Sequence, residues 1–347
     1  MTRRLAPVAV ALAFAAGSAG AAEIRVLNWK GYGTDETWAV EAFERSTGHT
    51  VVHDHFNSEQ EMLTKLRTNP GAYDVVLINS AYTRQAAEEG LIQPIDTAGM
   101  RNVDDLAPDM ATNEELNANG ALHGVPWVWG VTGFAYDRRE FEEAPTSLEV
   151  FWDPALKGRV GWRDDALEAV QFAALATGQS INDIEDMQAV RDKLQALMPQ
   201  LATLWSSEND WNRFMASGDF VVATYWSGSA NRSRTNFGLP VEFVVPEEGA
   251  IGWLDGLSIP AGSENVEAAK AFIDWMIDPR FYVQWDGEVG APASANLEAA
   301  AALGDQAFNR IVLGNPEAIE RIEIMGPVPE ETRREYLELW QELKAGL

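Results

Sequence analysis

Aromatic and acidic side chains stand together where several predicted strands end. The set comprises Trp29, Tyr32, Tyr82, Trp226, Trp253 and Asp255. The face of an indole or phenol ring attracts a cation by about 0.5–2 kcal/mol per contact, and a carboxylate accepts charge-assisted hydrogen bonds from an ammonium group. The combination predicts a cage for a small cationic amine. The alternative for each aromatic residue is that it packs at the edge of the core.

The motif Asp165-x-x-Glu168 precedes a predicted apolar helix and has two interpretations. The spacing is that of a capping box, in which the first side chain accepts a hydrogen bond at the start of the helix. The two carboxylates could instead receive an amine, because the helix dipole keeps an acidic group ionised near the N-terminus. The interpretations are partly compatible, since Glu168 can remain an anionic ligand group while Asp165 caps the helix.

The sequence lacks the motifs of several common enzyme classes: the phosphate-binding loop, the dinucleotide glycine fingerprint, the hydrolase nucleophile elbow and the zinc-protease helix. His53 and His55 lie on one face of a predicted strand and could share a metal. No further ligand stands at a diagnostic spacing, so a solvated strand end is the simpler interpretation. We therefore expect no metal, no cofactor and no catalysed reaction.

Acidic residues outnumber basic ones by 53 to 26, which gives a formal net charge of −27. A field of that sign repels phosphate backbones and anionic lipid headgroups, so we expect no nucleic-acid partner. The chain has no cysteine. This excludes disulfides, thiol catalysis and a lipid-modified cysteine.

The N-terminus has the pattern of an export signal. Arg3 and Arg4 precede an apolar run over residues 5–16, and small residues follow at 17–22. We expect cleavage near residue 22. The run is well short of the ~20 residues that span a bilayer, so we expect no direct membrane insertion. The alternative is that an uncleaved signal remains as an anchor.

The elements that must position these side chains form two α/β units. The first alternates strands with helices, and the second repeats the pattern after a tryptophan-rich segment. Crossings between the units are predicted near Trp127 and Ala250. The predicted strands are 24–27, 50–52, 73–78, 158–162, 201–205 and 221–225, and the predicted helices are 35–46, 59–67, 166–177 and 186–198.

Over nearly its whole mature length the chain resembles the periplasmic spermidine/putrescine-binding proteins of ABC transporters. The resemblance rests on the order and spacing of segments at residues 27–32, 71–76, 89–96, 124–130, 152–160, 226–230 and 253–255. It implies an α/β, two-lobed periplasmic binding protein (Venus-flytrap) fold with the ligand cleft between the lobes. We expect residues 1–22 to be a signal peptide, 23–126 with 251–300 to form lobe 1, and 127–250 with 301–347 to form lobe 2.

The resemblance also implies a function and a set of ligand-binding residues. A monomeric receptor in the periplasm would bind a polyamine and deliver it to the permease of an ABC importer. The residues that match the family's ligand-binding positions are Trp29, Tyr32, Ser80, Tyr82, Asp165, Glu168, Trp226, Trp253 and Asp255.

Three departures from the family's pattern raise an alternative ligand. Lys30-Gly31 stands where an acidic residue is expected, Ala291 replaces a tyrosine, and a glutamine position falls near Gly326. A charge without a partner in a closed cleft is costly. The alternative is a zwitterionic or singly cationic amine such as 4-aminobutyrate or agmatine, with a ligand carboxylate near Lys30.

The rival hypothesis from another class is an exported glycoside hydrolase with two catalytic carboxylates in an aromatic cleft. Asp165, Glu168 and Asp255 are its candidate acid and nucleophile. The hypothesis is weakened because Asp165 and Glu168 lie at one helix start instead of on opposite sides of a sugar bond.

Overall fold

The computed structural model describes residues 20–305, 307–312 and 316–346, so most of the predicted export signal lies outside the described residues. Within these ranges the strands are β1 (Glu23–Asn28), β2 (Thr50–His55), β3 (Val75–Asn79), β4 (Ile92–Gln93), β5 (Val125–Asp137), β6 (Val160–Arg163), β7 (Leu201–Trp205), β8 (Val222–Trp226), β9 (Val241–Val244), β10 (Ala250–Pro260), β11 (Ala293–Ser294) and β12 (Ile322–Ile324).

The helices alternate with these strands through much of the chain. They are α1 (Thr37–Thr47), α2 (Glu59–Thr68), α3 (Ser80–Glu88), α4 (Pro108–Ala111), α5 (Ala166–Ala176), α6 (Met187–Leu197), α7 (Glu208–Ser217), α8 (Ser227–Thr235), α9 (Val266–Met276), α10 (Pro279–Val289), α11 (Leu297–Ala301), α12 (Phe308–Val312), α13 (Pro316–Ile319) and α14 (Glu330–Lys344). Among the described residues no helix is both long and apolar enough to cross a membrane.

The sheet is continuous through both lobes, with the order β2-β1-β3-β10-β5-β8-β6-β7. Strands β2, β1 and β3 are parallel in the first lobe, and β8, β6 and β7 are parallel in the second. The long strands β10 and β5 pair antiparallel with each other and join the two parallel groups. Strands β5 and β10 belong to both lobes, so the chain passes between the lobes along each of them. It passes once more between α11 in the first lobe and α14 in the second. The predicted lobe boundaries stay a prediction.

Each lobe has its own hydrophobic core. Val26, Leu77 and Phe272 belong to the core of the first lobe, whereas Phe172 and Trp340 belong to that of the second. All five residues of β3 are buried, as expected for a parallel strand covered on both faces. Helix α14 packs on α5, which attaches the end of the chain to the second lobe.

Each element predicted from the sequence is observed within three residues of its predicted bounds, whereas the long strands β5 and β10 and helices such as α7 and α9 were not predicted. Helix α5 ends one residue earlier than predicted, and β2 continues three residues further, to His55. The C-terminal region contains, besides α14, the short strand β12, which pairs parallel with β10. Three residues carry too weak a pattern to be recognised as a strand without the neighbour that supplies their hydrogen bonds.

Candidate functional site

Asp255 lies where β10 passes between the lobes, and two side chains of the first lobe hold it. The Tyr32 hydroxyl donates to Oδ2 and the Asn79 amide donates to Oδ1, each at 2.9 Å. Burial raises the pKa of Asp255 to about 6, although both hydrogen bonds lower it. Because a carboxylate oxygen has more than one lone pair, this anchored group can still accept hydrogen bonds from a ligand.

The local sequence explains why these partners converge on Asp255. Asp255 lies directly opposite Asn79 in the antiparallel pairing of β10 with β3, which brings these two side chains together. Asn79 is the last residue of β3 and also caps α3, because its Oδ1 accepts a hydrogen bond from the Ala81 amide at 3.0 Å. The same side chain therefore fixes the start of a helix and orients the site carboxylate.

Glu59 is a residue of this cleft that the sequence analysis did not identify. It is the first residue of α2, which Ser58 caps by accepting a hydrogen bond from the Glu61 amide at 3.1 Å. The Glu59 side chain is partly buried, and its Oε2 has no hydrogen-bond partner among the described residues. A carboxylate placed this way can bind a cation.

The electrostatics of Glu59 show that side chains from both lobes surround it. Burial raises its pKa to about 8, and the negative charges of Asp255 and Asp165 raise it as well, whereas Arg163 and Arg333 lower it. Glu59 follows β2 of the first lobe, Asp255 lies on the crossing strand β10, and Asp165 and Arg163 lie at the end of β6 in the second lobe. The two halves therefore contribute charge to one shared cleft.

The Asp165-x-x-Glu168 motif divides its roles between the two residues. Oδ1 of Asp165 accepts a hydrogen bond from the Glu168 amide at 3.0 Å and so caps α5. The Glu168 side chain does not complete the capping box. Its Oε1 accepts hydrogen bonds from the Arg163 guanidinium and from the Thr132 hydroxyl, the latter at 3.5 Å, and its Oε2 makes no well-formed hydrogen bond. Glu168 is only 5% exposed, so this free oxygen is sheltered from bulk water.

Arg163, which ends β6, was also missed by the sequence analysis. Its guanidinium carbon lies 4.7 Å from the centroid of the Trp226 ring, and one of its nitrogens lies 3.8 Å from Oδ2 of Asp165. Burial lowers the pKa of Arg163, but Glu168 and Asp165 more than offset this, and the net shift is upward. The protein thus places a permanent cation on an aromatic face between two carboxylates, the arrangement expected for a bound amine.

The charge of Glu168 depends on this cation. Burial raises the pKa of Glu168 to about 7, Arg163 lowers it, and Asp165 raises it; the indole N–H of Trp226 also lowers it. Burying an ionised carboxylate is costly unless a cation or hydrogen bonds compensate. Arg163 supplies that compensation within the second lobe.

For Trp253, Trp29 and Ser80 the structure shows the immediate surroundings of each side chain. Trp253 on β10 faces Gly130 on β5, where a methyl group added to the glycine would lie 2.3 Å from the indole ring, so only glycine allows this close approach. Trp29 packs edge-on against Phe56 at 4.5 Å between ring centroids. The hydroxyl of Ser80 is buried with no hydrogen-bond partner among the described residues.

Two contacts between the lobes lie beside the cleft. The guanidinium carbon of Arg333 on α14 lies 4.5 Å from the centroid of the Tyr82 ring on α3. On the other side, Arg232 on α8 donates a hydrogen bond to the carbonyl of Gly290 at 2.7 Å. Both contacts join elements of different lobes, so they depend on the relative position of the lobes.

The positions that depart from the family's pattern can be placed as well. Lys30 is exposed to solvent, and the cation beside the cleft carboxylates is Arg163 instead. Ala291 is fully buried, and the amide of Gly326 donates a hydrogen bond to Asn182 at 2.8 Å. Lys30 therefore gives no structural support to a ligand carboxylate at the first loop.

The histidine pair forms no candidate metal centre. The rings of His53 and His55 are 6.2 Å apart and nearly parallel. In the described part of the chain no three histidine, aspartate or glutamate side chains lie close enough together to hold a metal ion. Burial lowers the pKa of His53, which keeps that ring neutral.

A simple signal could have identified the two missed residues. Glu59 and Arg163 each lie next to the carboxyl end of a strand, and ligands of α/β sheets bind outside these ends. Glu59 follows β2 by four residues, and Arg163 is the last residue of β6, two before Asp165. From sequence alone Glu59 is only the first residue of a predicted helix, and Arg163 is a basic residue with no assigned role beside the acidic motif.

Comparison with known proteins gives a consistent result. Residues 38–307 match the family model of the bacterial extracellular solute-binding proteins. The chain is 33% identical over 312 residues to a spermidine/putrescine-binding periplasmic protein of Escherichia coli (strain K12), and the match covers 88% of each chain. It is 26% identical over 356 residues to a putrescine/agmatine-binding protein of Pseudomonas aeruginosa, covering 96% of this chain and 95% of that one.

The fold is also similar to solved structures. One is a spermidine/putrescine ABC transporter substrate-binding protein from Streptococcus pneumoniae, crystallised with calcium and HEPES. The TM-score is 0.83 at 22% sequence identity, and the alignment covers 94% of this chain and 99% of that chain. At this identity the likeness supports the two-lobed fold alone.

Proposed function

Because the chain belongs to the bacterial extracellular solute-binding proteins, in the family of the periplasmic spermidine/putrescine-binding proteins, we propose that it binds a small polyamine between its lobes. It acts as the receptor of an ABC importer and delivers the amine to a membrane permease. The export signal is removed near residue 22, and the mature protein acts in the periplasm. The chain catalyses no reaction and needs no cofactor.

One observation carries this proposal: carboxylates from both lobes meet in one cleft without enough cations of the protein to balance them. Asp255 and Glu59 both have raised pKa values because they are buried. Oε2 of Glu59 and Oε2 of Glu168 lack well-formed hydrogen bonds. An ammonium group would supply both the missing positive charge and the missing hydrogen-bond donors.

The proposed binding residues are the nine predicted from the sequence together with Glu59. Tyr32 and Asn79 orient Asp255 for one ammonium group. Trp226, at the end of β8, and Trp253, on β10, supply aromatic faces. Closure about these strands would bring the second-lobe groups onto the ligand; moving the equilibrium from 1:99 to 99:1 requires about 5.5 kcal/mol of differential affinity.

Titration calorimetry of the purified mature protein with putrescine and spermidine tests this function. We expect stoichiometric binding of at least one of them, a change in tryptophan fluorescence, and recovery of the amine chemically intact by mass spectrometry. Asp255→Asn should weaken binding at least 100-fold, because it removes a buried charge partner, worth roughly 3–5 kcal/mol. Asp109→Asn, at an exposed position on α4, is the matched control.

Two results would contradict the proposal. Failure of the wild-type protein to bind either amine would remove the assigned ligand class. Release of a chemically altered amine would contradict the statement that the chain catalyses no reaction. The hydrolase hypothesis, to which the comparisons give no support, would require hydrolysis of a glycoside by the purified protein.

A further inference from the structure

Arg163 occupies the position of a cation at the second-lobe end of the cleft. Its guanidinium lies over the Trp226 ring at 4.7 Å and is hydrogen-bonded to Glu168, with Asp165 at 3.8 Å. An aromatic face and two carboxylates are the partners that a ligand ammonium group would use. The chain therefore fills one amine position with its own side chain.

Acidic groups outnumber basic groups among the charged side chains of the cleft. They come from four carboxylates and two guanidiniums, which are Glu59, Asp165, Glu168, Asp255, Arg163 and Arg333. When all are ionised, the carboxylates exceed the guanidiniums by two charges, and a bound cation favours that state because a nearby positive charge lowers the pKa of a carboxyl group. A ligand with two ammonium groups would neutralise this excess, whereas a third ammonium group would leave one positive charge in a buried site. A zwitterion would leave the excess uncompensated.

Building on the proposed function, we infer that Arg163 is a specificity-determining residue that makes the receptor select a diamine over a triamine. The first ammonium group binds Asp255, which Tyr32 and Asn79 orient. The second binds Glu59, whose Oε2 has no partner among the described residues. A third ammonium group would have to displace Arg163 from Glu168, because Trp226 and both second-lobe carboxylates already contact the guanidinium.

Calorimetry with putrescine and spermidine, on the wild type and on Arg163 variants, tests the inference. We expect the wild type to bind putrescine at least tenfold more tightly than spermidine. Arg163→Gln, which removes the charge and keeps a polar side chain against Glu168, should reduce that preference at least tenfold. Arg163→Lys retains the positive charge and should preserve the preference.

Two further variants separate the local effect from its alternatives. Arg159→Gln also removes one positive charge, but from an exposed pair with Glu140 at 2.6 Å just before β6, and should leave the preference unchanged. The double variant Arg163→Gln/Glu168→Gln should lose the spermidine affinity gained by the single variant, because the freed carboxylate is gone. It also remains informative if the unpaired Glu168 of the single variant impairs folding, since it leaves no uncompensated charge there.

Several outcomes would overturn the inference. Equal or tighter binding of spermidine by the wild type, or an unchanged preference in Arg163→Gln, would show that Arg163 does not select the ligand, and would leave the proposed function intact. Tighter binding of 4-aminobutyrate than of putrescine would mean that Arg163 receives a ligand carboxylate. Binding of neither amine would overturn the proposed function and this inference together.

Discussion

Replacing Glu59 with glutamine should stabilise the ligand-free protein while weakening amine binding. Burial raises the pKa of this carboxyl from 4.5 to about 8, so between these values the folded state holds more protons than the unfolded state. Stability contributed by a protonated group is present at low pH and is lost as the pH rises through the folded-state pKa. Glu59→Gln removes this loss of stability. The free energy of unfolding of the variant relative to the wild type should therefore increase between about pH 5 and 8.

The size of the stability gain in Glu59→Gln follows from the pKa shift of Glu59. Between the unfolded-state pKa and pH 7.5, an interval of about three pH units, the buried Glu59 carboxyl lowers the free energy of unfolding of the wild type by roughly 4 kcal/mol. Because the glutamine amide must itself be buried, a net gain of about 1–3 kcal/mol at pH 7.5 is expected. The lost charge-assisted contact should weaken putrescine binding by roughly 10-fold to 100-fold.

Urea unfolding of the ligand-free protein near pH 5, 6.5 and 8 measures the change. Glu61→Gln is the matched control, because Glu61 lies two residues further along the same helix and is partly buried like Glu59, but its carboxylate already accepts hydrogen bonds from Asn57. Hydrogen bonds from Asn57 lower the pKa of Glu61, so its replacement should bring no stability gain that grows with pH. A Glu59→Gln advantage that shrinks as the pH rises, or tighter putrescine binding by this variant, would refute the reasoning.

Three further perturbations have defined outcomes. Tyr32→Phe removes a hydrogen bond that lowers the pKa of Asp255, so calorimetry should show affinity falling more at about pH 6 than at pH 8; equal losses would contradict this. Gly130→Ala would place a methyl group 2.3 Å from the Trp253 ring, and thermal unfolding should show a loss of about 1–3 kcal/mol. An unchanged midpoint would mean that the ring has room to move. Arg333→Gln removes a cation from an aromatic ring of the other lobe, so small-angle scattering should report a less compact liganded state. Unaltered compactness would show that this contact does not favour closure.

The two-lobed α/β fold could be predicted because its signals are local. The apolar run of β3, the capping residue Asp165 and the positions of α5 and β7 follow from patterns that each segment carries by itself. The short strand β12 depends on β10 for its hydrogen bonds, and no pattern within its three residues predicts that pairing.

The candidate site was only partly predictable for a related reason. Asp255 stood out beside Trp253, but its hydrogen bonds to Tyr32 and Asn79 span 223 and 176 residues of sequence. Glu59 and Arg163 are ordinary residues at a helix start and a strand end. Glu59 gains its second-lobe charged neighbours only when the two lobes approach each other. Those of Arg163 stand two and five residues further along the chain, so sequence spacing could have drawn attention to Arg163 but not to the charges around Glu59.

The position of Asp255 at the joint between the lobes has a consequence for the order of events. A group near a rotation axis moves little when the lobes rotate, so Asp255 and its partners Tyr32 and Asn79 would offer nearly the same contacts to an amine before and after closure. They would contribute to first capture from solution but could not by themselves favour either conformation, since only differential contacts shift such an equilibrium. The residues of β6 and α5 move with the second lobe, so they would make the contacts that favour the closed conformation. A substitution there should change the lifetime of the bound state more than the rate of capture.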